Sequence, residues 1–231
     1  MDRVISVVNR SNQRGGRMLS VVDLIKAETL SLSQAAWLLD RIARGSSWLV
    51  GARPGGAGKT TVMSALLAMI PASSTVSLTN TGTGWEKSRA GEYVVSYELS
   101  PGSYDAYIWG SDIRRFVRLG AQGCRIVSNL HADTLDEASE QLAGNGVEED
   151  AFAAFSIFIP LSVNRGTYSR SRRVESVFYV SRGTWRSLGG DCPLSDRHDA
   201  IRSFLEHCLE EDILVIEKFR AAWLEWCERG T

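Results

Sequence analysis

The chain has 231 residues, 44% apolar and 23% charged, with a formal net charge of −1. These values suit one large soluble domain, or a core with an appendage, and the near-zero charge gives no strong nucleic-acid signal. No apolar run reaches the ~18 residues of a membrane span, and the N-terminus MDRVISVVNRSNQRGGR lacks the apolar core of a signal peptide. Cys124, Cys192, Cys208 and Cys227 show no metal-type pairing, so reduced thiols in the cytoplasm are expected.

In chain order, VISVV (4–8) reads as a short first strand, set off by the polar stretch NRSNQRGGR (9–17). Ser31 with Gln34 makes a capping-box pattern for a helix ending near Gly45. SWLVGA (47–52) is a short apolar strand, and the following segment places Val62, Ala65, Leu66, Met69 and Ile70 on one helical face. Strands are then expected over STVSLTN (74–80), YVVSYEL (93–99), YDAYIW (104–109) and CRIVSNL (124–130). In TLDEASEQLAG (134–144), Thr134 caps a helix, Glu137 reaches back and Gly144 ends it. FSIFIPL (155–161) and RVESVFYV (173–180) supply two late strands. Buried strands alternating with helices predict an α/β fold with a mainly parallel sheet flanked by helices.

Composition changes after Gly189 and Gly190. Residues 195–229 carry a helical stripe of Ile201, Phe204, Leu205, Cys208 and Leu209, continued by Phe219, Trp223 and Trp226. The expected division is a nucleotide-binding core over 1–188, with 1–45 as lead-in, and a C-terminal helical appendage over 189–231 that packs on the core or on a partner.

The stretch GARPGGAGKTT (51–61) points to a nucleotide. A phosphate loop needs a strand before it and a helix after it, because a helix N-terminus offers free N–H groups and partial positive charge. Gly55, Gly56 and Gly58 let the backbone, with Ala57, fold closely around phosphate oxygens. Lys59 is placed to reach the β- and γ-phosphates, Thr60 to ligate Mg²⁺, and Thr61 sits next to it in the first helical turn. The usual first glycine is replaced by Arg53, so Arg53 and Pro54 must turn the chain differently, and the Arg53 side chain either pairs with an acid or approaches the phosphates. The expected cofactors are ATP and Mg²⁺.

Residues 129–142, NLHADTLDEASEQL, resemble the His box of the secretion ATPase superfamily, the RecA-like motors of type II and type IV secretion, type IV pili and archaeal filaments. Leu130-His131-Ala132-Asp133 matches, with Asp133 for the family's Asn. The resemblance extends from the approach to the phosphate loop to the late strand RRVESVFYV, roughly residues 17–182. It implies a RecA-like P-loop core, γ-phosphate sensing by His131, and a cytoplasmic homo-oligomer, such as a ring, acting on a membrane-embedded secretion or filament platform. A compact member lacking the family's separate N-terminal domain is expected.

Two family elements depart from the pattern. SLTNTGTGWEKSR (77–89) puts Asn80 where the acidic box carries a carboxylate, with Glu86 the nearest acid. In YIWGSDIRR (107–115), one inserted residue makes Asp112 the counterpart of the Walker B glutamate near Mg²⁺, while Ser111 or Asp112 also suits a helix cap. Arg114 or Arg115 is a candidate cation for a neighbouring subunit's transition state. The arginine-rich NRGTYSRSRR (164–173) reads either as a solvated hairpin loop or as a contact to a partner or nucleotide. Losing a general base costs about 10²–10⁴-fold in rate and leaves binding intact. Three functions are consistent with these residues: an ATPase motor, a nucleotide-binding regulatory subunit without turnover, and a small-molecule kinase with the arginine segment as lid.

Overall fold

Residues with period-2 burial build the sheet. In β1 (Trp48–Gly51), Trp48 and Val50 join the apolar cluster on one face and Leu49 joins the cluster on the other. The same alternation sends Tyr93 and Val95 of β3 (Tyr93–Val95) one way and Val94 the other. It recurs in β7 (Ile157–Pro160), where Ile157 and Ile159 oppose Phe158. Strands buried on both faces need helices on both faces, and a fully buried side chain of this size contributes about 1.5–3 kcal/mol.

The computed structural model describes residues 2–12, 15–80, 82, 84–165, 170–189 and 195–230; the sequence reading of Cys192 falls outside them. With β2 (Val76–Leu78), β6 (Arg125–Leu130), β10 (Phe178–Ser181) and β11 (Thr184–Ser187), the strands form a seven-stranded sheet in the order β11-β10-β7-β1-β6-β3-β2. The five from β7 to β2 are parallel, and β10 and β11 add antiparallel to one edge. One face carries α1 (Arg3–Ser11), α2 (Val21–Lys26), α3 (Leu32–Ala43), α4 (Lys59–Leu67), α7 (Asp196–Glu210) and α8 (Ile216–Arg229). The other carries α5 (Ser111–Ala121) and α6 (Leu135–Gly144). This is the mainly parallel α/β sheet flanked by helices expected from the sequence, with helices at its C-terminus.

Several expectations are corrected. VISVV is helical: the Asp2 carboxylate caps α1 by accepting from Val4 N at 2.8 Å, and Val4, Ile5, Val7, Val8 and Ser11 make one buried helical face. YVVSYEL divides after Val95, because Ser96 Oγ bonds to the carbonyls of Glu98 and Ala106. β4 (Glu98–Leu99) then leaves the main sheet and pairs with β5 (Tyr107–Ile108), all that becomes strand of YDAYIW. RVESVFYV is a strand only at its ends. Its first residue closes β9 (Arg170–Arg173), which pairs antiparallel with β8 (Ser162–Arg165). The strand β11 was not anticipated; Arg182 and Gly183, with φ of 51° and 75°, form the two-residue turn that returns it.

The C-terminal helices share the core. Asp40 on α3, 4% exposed, accepts from Arg44 Nε at 3.0 Å and Arg197 Nε at 2.9 Å, and His198 Nε2 lies 3.3 Å from it. Arg220 on α8, 2% exposed, donates to the carbonyls of Ala68 and Ile70 and ion-pairs with Asp2 at 2.6 Å. Trp223 Nε1 donates to Met69 O at 2.9 Å. These donors satisfy carbonyls that the end of α4 leaves open.

Candidate functional site

Strand β1 delivers the loop, and Gly51 is its tightest point. A Cβ there would lie 2.3 Å from the Ala132 carbonyl oxygen and 2.7 Å from the Phe158 ring, so the close approach that the usual first glycine permits falls two residues earlier. Beyond it, Ala52 N donates to Leu130 O and Arg53 N to Asp133 Oδ1 at 2.8 Å. Arg53 has no positive φ; the left-handed positions are Gly56 (73°) and Gly58 (106°). A bond from Ala57 N to Pro54 O closes the turn. Gly55 is exposed, and a Cβ there would meet nothing within 4 Å.

Gly58 precedes α4 with no side-chain cap, so the first N–H groups of this nine-residue helix face outward with the positive end of its dipole. Arg172 of β9 lies over the loop. Its Nη2 is 3.4 Å from Gly56 O, and its Cδ would be 3.1 Å from a Cβ at Gly58. Among the described residues no carboxylate pairs with it. Arg53, by contrast, pairs through Nη2 with Glu137 Oε1 at 2.8 Å, the acid-paired alternative of the two read from sequence.

Lys59 is 6% exposed and does not project into solvent. Its Nζ donates to Ala52 O at 3.0 Å, ion-pairs with Glu98 Oε1 at 3.0 Å and lies 3.4 Å from His131 Nδ1. His131 Nε2 lies 3.1 Å from the same Glu98 oxygen, which accepts no hydrogen bond among the described residues, while its Nδ1 is 3.2 Å from Arg53 O. Tyr107 donates its hydroxyl to Glu98 Oε2 at 3.1 Å, fixing the carboxylate's plane. A buried carboxylate is retained only where such partners exist.

Thr60 and Thr61 are half-buried in the first turn of α4. Asn129, fully buried near the end of β6, donates Nδ2 to Tyr97 O at 2.8 Å and approaches Thr60 Oγ1 at 3.4 Å. Its Oδ1 is buried with no hydrogen-bond partner, an acceptor beside the hydroxyl that would face a cation. Among the described residues no three His, Cys, Asp or Glu could hold a metal. A Mg²⁺ at Thr60 would therefore depend on nucleotide phosphates, which is how this ion is usually bound.

The structure thus brings together Gly55, Gly56, Ala57, Gly58, Lys59, Thr60, Thr61, Arg53 and His131. It does not bring Asp112 or Arg114 to them. Asp112 ion-pairs with Arg115 at 3.0 Å in the first turn of α5. Arg114 Nη1 donates to Asn145 O at 2.9 Å, beyond the C-terminal end of α6, whereas Asp133 and Glu137 lie at that helix's other end. Ten residues of helix, about 15 Å, separate the two groups. Asn80 donates to Asp105 Oδ1 at 2.8 Å, an acid also held twice by Arg10, and Glu86 is exposed on a 3₁₀ turn.

Glu98 and Asn129 are the residues that sequence reasoning missed. Both follow or end parallel strands at their C-terminal edge, where open α/β sheets collect ligands, and that rule was the one signal that could have found them.

No protein-family model matches the chain, and no curated protein matches it. Among solved structures, the chain is similar to the VirB11 ATPase from the Brucella suis type IV secretion system in complex with sulphate. The identity is 16% and the TM-score 0.43, covering 67% of this chain and 55% of that one. It is also similar to the Legionella pneumophila ATPase DotB, with 9% identity and a TM-score of 0.37, covering 75% of this chain and 55% of that one. The chain spans about half the length of each of these structures.

Proposed function

We propose that the chain binds ATP with Mg²⁺ on the loop 53–61, and that Glu98, not Asp112, is the carboxylate facing the terminal phosphate. The observation that carries this is Lys59: a buried ammonium at the head of an uncapped helix, held by Glu98 and His131. A cation there is opposed by the helix dipole and costs desolvation, so its placement suits an anionic ligand better than stability.

On binding, the Lys59 ammonium exchanges Ala52 O and Glu98 for β- and γ-phosphate oxygens, while N–H groups of the loop and of α4 donate to the remaining oxygens. Thr60 Oγ1 would hold Mg²⁺, beside the unpartnered Asn129 Oδ1. The ion would neutralise charge spreading over the phosphate oxygens. Glu98, released from Lys59, orients a water and takes its proton as the new P–O bond forms and the bond to ADP breaks. His131 donates to a γ-oxygen. The motif resemblance supports a cytoplasmic homo-oligomeric motor that couples this cycle to a membrane-embedded secretion or filament partner.

A second reading, a regulatory subunit that binds without turnover, is favoured by Asn80. In place of an acidic-box carboxylate it is bonded to Asp105, which leaves Glu98 as the acid on Lys59.

Calorimetry with Mg-ATP and phosphate release over hours separate the readings. Lys59→Ala is expected to abolish binding. Glu98→Gln is expected to keep binding and lower turnover by about 10²–10⁴-fold. Wild-type protein that binds nothing would sink the proposal, and unchanged turnover in Glu98→Gln would remove Glu98 from the chemistry. Binding without turnover selects the regulatory reading.

A further inference from the structure

Two departures from the family pattern, Arg53 for glycine and Asp133 for asparagine, touch each other. Arg53 N donates to Asp133 Oδ1 at 2.8 Å, Asp133 N donates to Glu137 Oε2 at 2.8 Å, and Glu137 Oε1 pairs with Arg53 Nη2 at 2.8 Å. The three residues close a ring that joins the start of the phosphate loop to the first turn of α6. Each side chain in the ring has a charged or backbone partner, and both carboxylates lie at a helix N-terminus, where negative charge is favoured. The ring also fixes the Arg53 carbonyl, and that oxygen faces His131 Nδ1 at 3.2 Å. His131 is 40% exposed, so packing alone does not hold the imidazole against Glu98.

We infer that Arg53 is a positioning residue: through the ring with Asp133 and Glu137 it holds His131 in place beside Lys59 and Glu98. The usual glycine fixes the start of such a loop by backbone shape. Here Gly51 supplies the close approach, and the ring fixes the chain at Arg53. An exposed ion pair by itself contributes little; linked to two backbone N–H groups and a carbonyl, it restricts one geometry. The consequence for ligand affinity rests on the nucleotide-binding reading, whereas the positioning of His131 does not.

The chain has three histidines, His131, His198 and His207, so imidazole NMR signals of the full chain give a direct test. Arg53→Ala, Glu137→Ala and Asp133→Ala are each expected to shift the His131 signals, while those of His198 and His207 stay put and report an intact fold. Arg53→Lys, which restores the charge opposite Glu137, is expected to return them part of the way. Mg-ATP affinity, read by calorimetry on the same samples, is expected to fall about three- to fivefold for the ion-pair variants and further for Asp133→Ala.

Unmoved His131 signals in all three alanine variants would overturn the inference. Shifted signals with unchanged Mg-ATP affinity would overturn the claim that the held geometry serves the site. If the wild-type chain binds no Mg-ATP, the nucleotide reading fails, and the His131 shifts still decide the ring's positioning role.

Discussion

Two buried cations sit at the two ends of α4, and they are held in opposite ways. Arg220, at the C-terminal end, lies where the helix dipole favours positive charge, with the Ala68 and Ile70 carbonyls and the Asp2 carboxylate as partners. Lys59, at the N-terminal end, lies where the dipole disfavours it, shared among Ala52 O, Glu98 and His131. One end closes the helix. At the other, the proposed nucleotide would take over the Lys59 contacts, and an unpartnered acceptor, Asn129 Oδ1, lies beside Thr60. Local rules of helix electrostatics are obeyed where the helix is anchored and broken where it is expected to bind.

Arg220→Ala tests the anchored end and carries the largest expected effect. It leaves two carbonyls and a partly buried carboxylate without their cation, a change of about 3–5 kcal/mol. At this chain length that lowers Tm by roughly 6–20 °C, while Mg-ATP affinity below the transition changes little. A large loss of affinity with Tm unchanged would mean that the two ends are not divided as described. Arg172→Ala probes the other end. Removing an exposed guanidinium beside Gly56 is expected to lower Mg-ATP affinity about three- to tenfold, less so at high salt, with Tm nearly unaltered. Unchanged affinity would leave Arg172 with the loop carbonyl as its sole duty.

This division explains what was legible in the sequence. Capping at Ser31 and Gln34, the strand at 47–52 and the glycine loop are local patterns, and they form where the residues predict. Thr134 caps α6 as expected, but Glu137 reaches Asp133 N, one residue before the cap. VISVV was misread because five apolar and small residues suit either period. Its helix depends on Asp2 at the cap, a local signal that went unread, and on α4 and β2 beneath it, contacts distant in sequence. Glu98 was hidden for a related reason. Inside YVVSYEL it reads as a strand residue, and only the turn of the chain at Ser96 sends its carboxylate toward Lys59. Asp112 drew attention because it follows an apolar stretch and a glycine, yet its strand is a two-residue ribbon outside the main sheet.

The smallest expected effect is a pH dependence at the anchored end. Burial alone would raise the Asp2 carboxyl, but the hydrogen bond and charge of Arg220 and the N–H groups of Val4 and Ile5 outweigh it and hold the folded pKa below 3.8. The unfolded chain therefore binds the proton first as pH falls. The contribution is fully present above the unfolded value near 3.8, and it is lost as pH drops through the depressed folded value. Asp2→Asn keeps an oxygen to accept from Val4 and replaces the charged acceptor opposite Arg220 Nε with an uncharged amide NH2. Its stability deficit against wild type should be constant near neutral pH, within about 1 kcal/mol because Asp2 is partly exposed, and its charge-dependent part should vanish as pH falls through the depressed folded value. Asp23, held low by Arg17 against its own burial, titrates alike in both chains and cancels in the difference. A deficit that persists undiminished in acid would mean that it does not come from the charge on Asp2, and would leave Arg220 anchored by the carbonyls of Ala68 and Ile70.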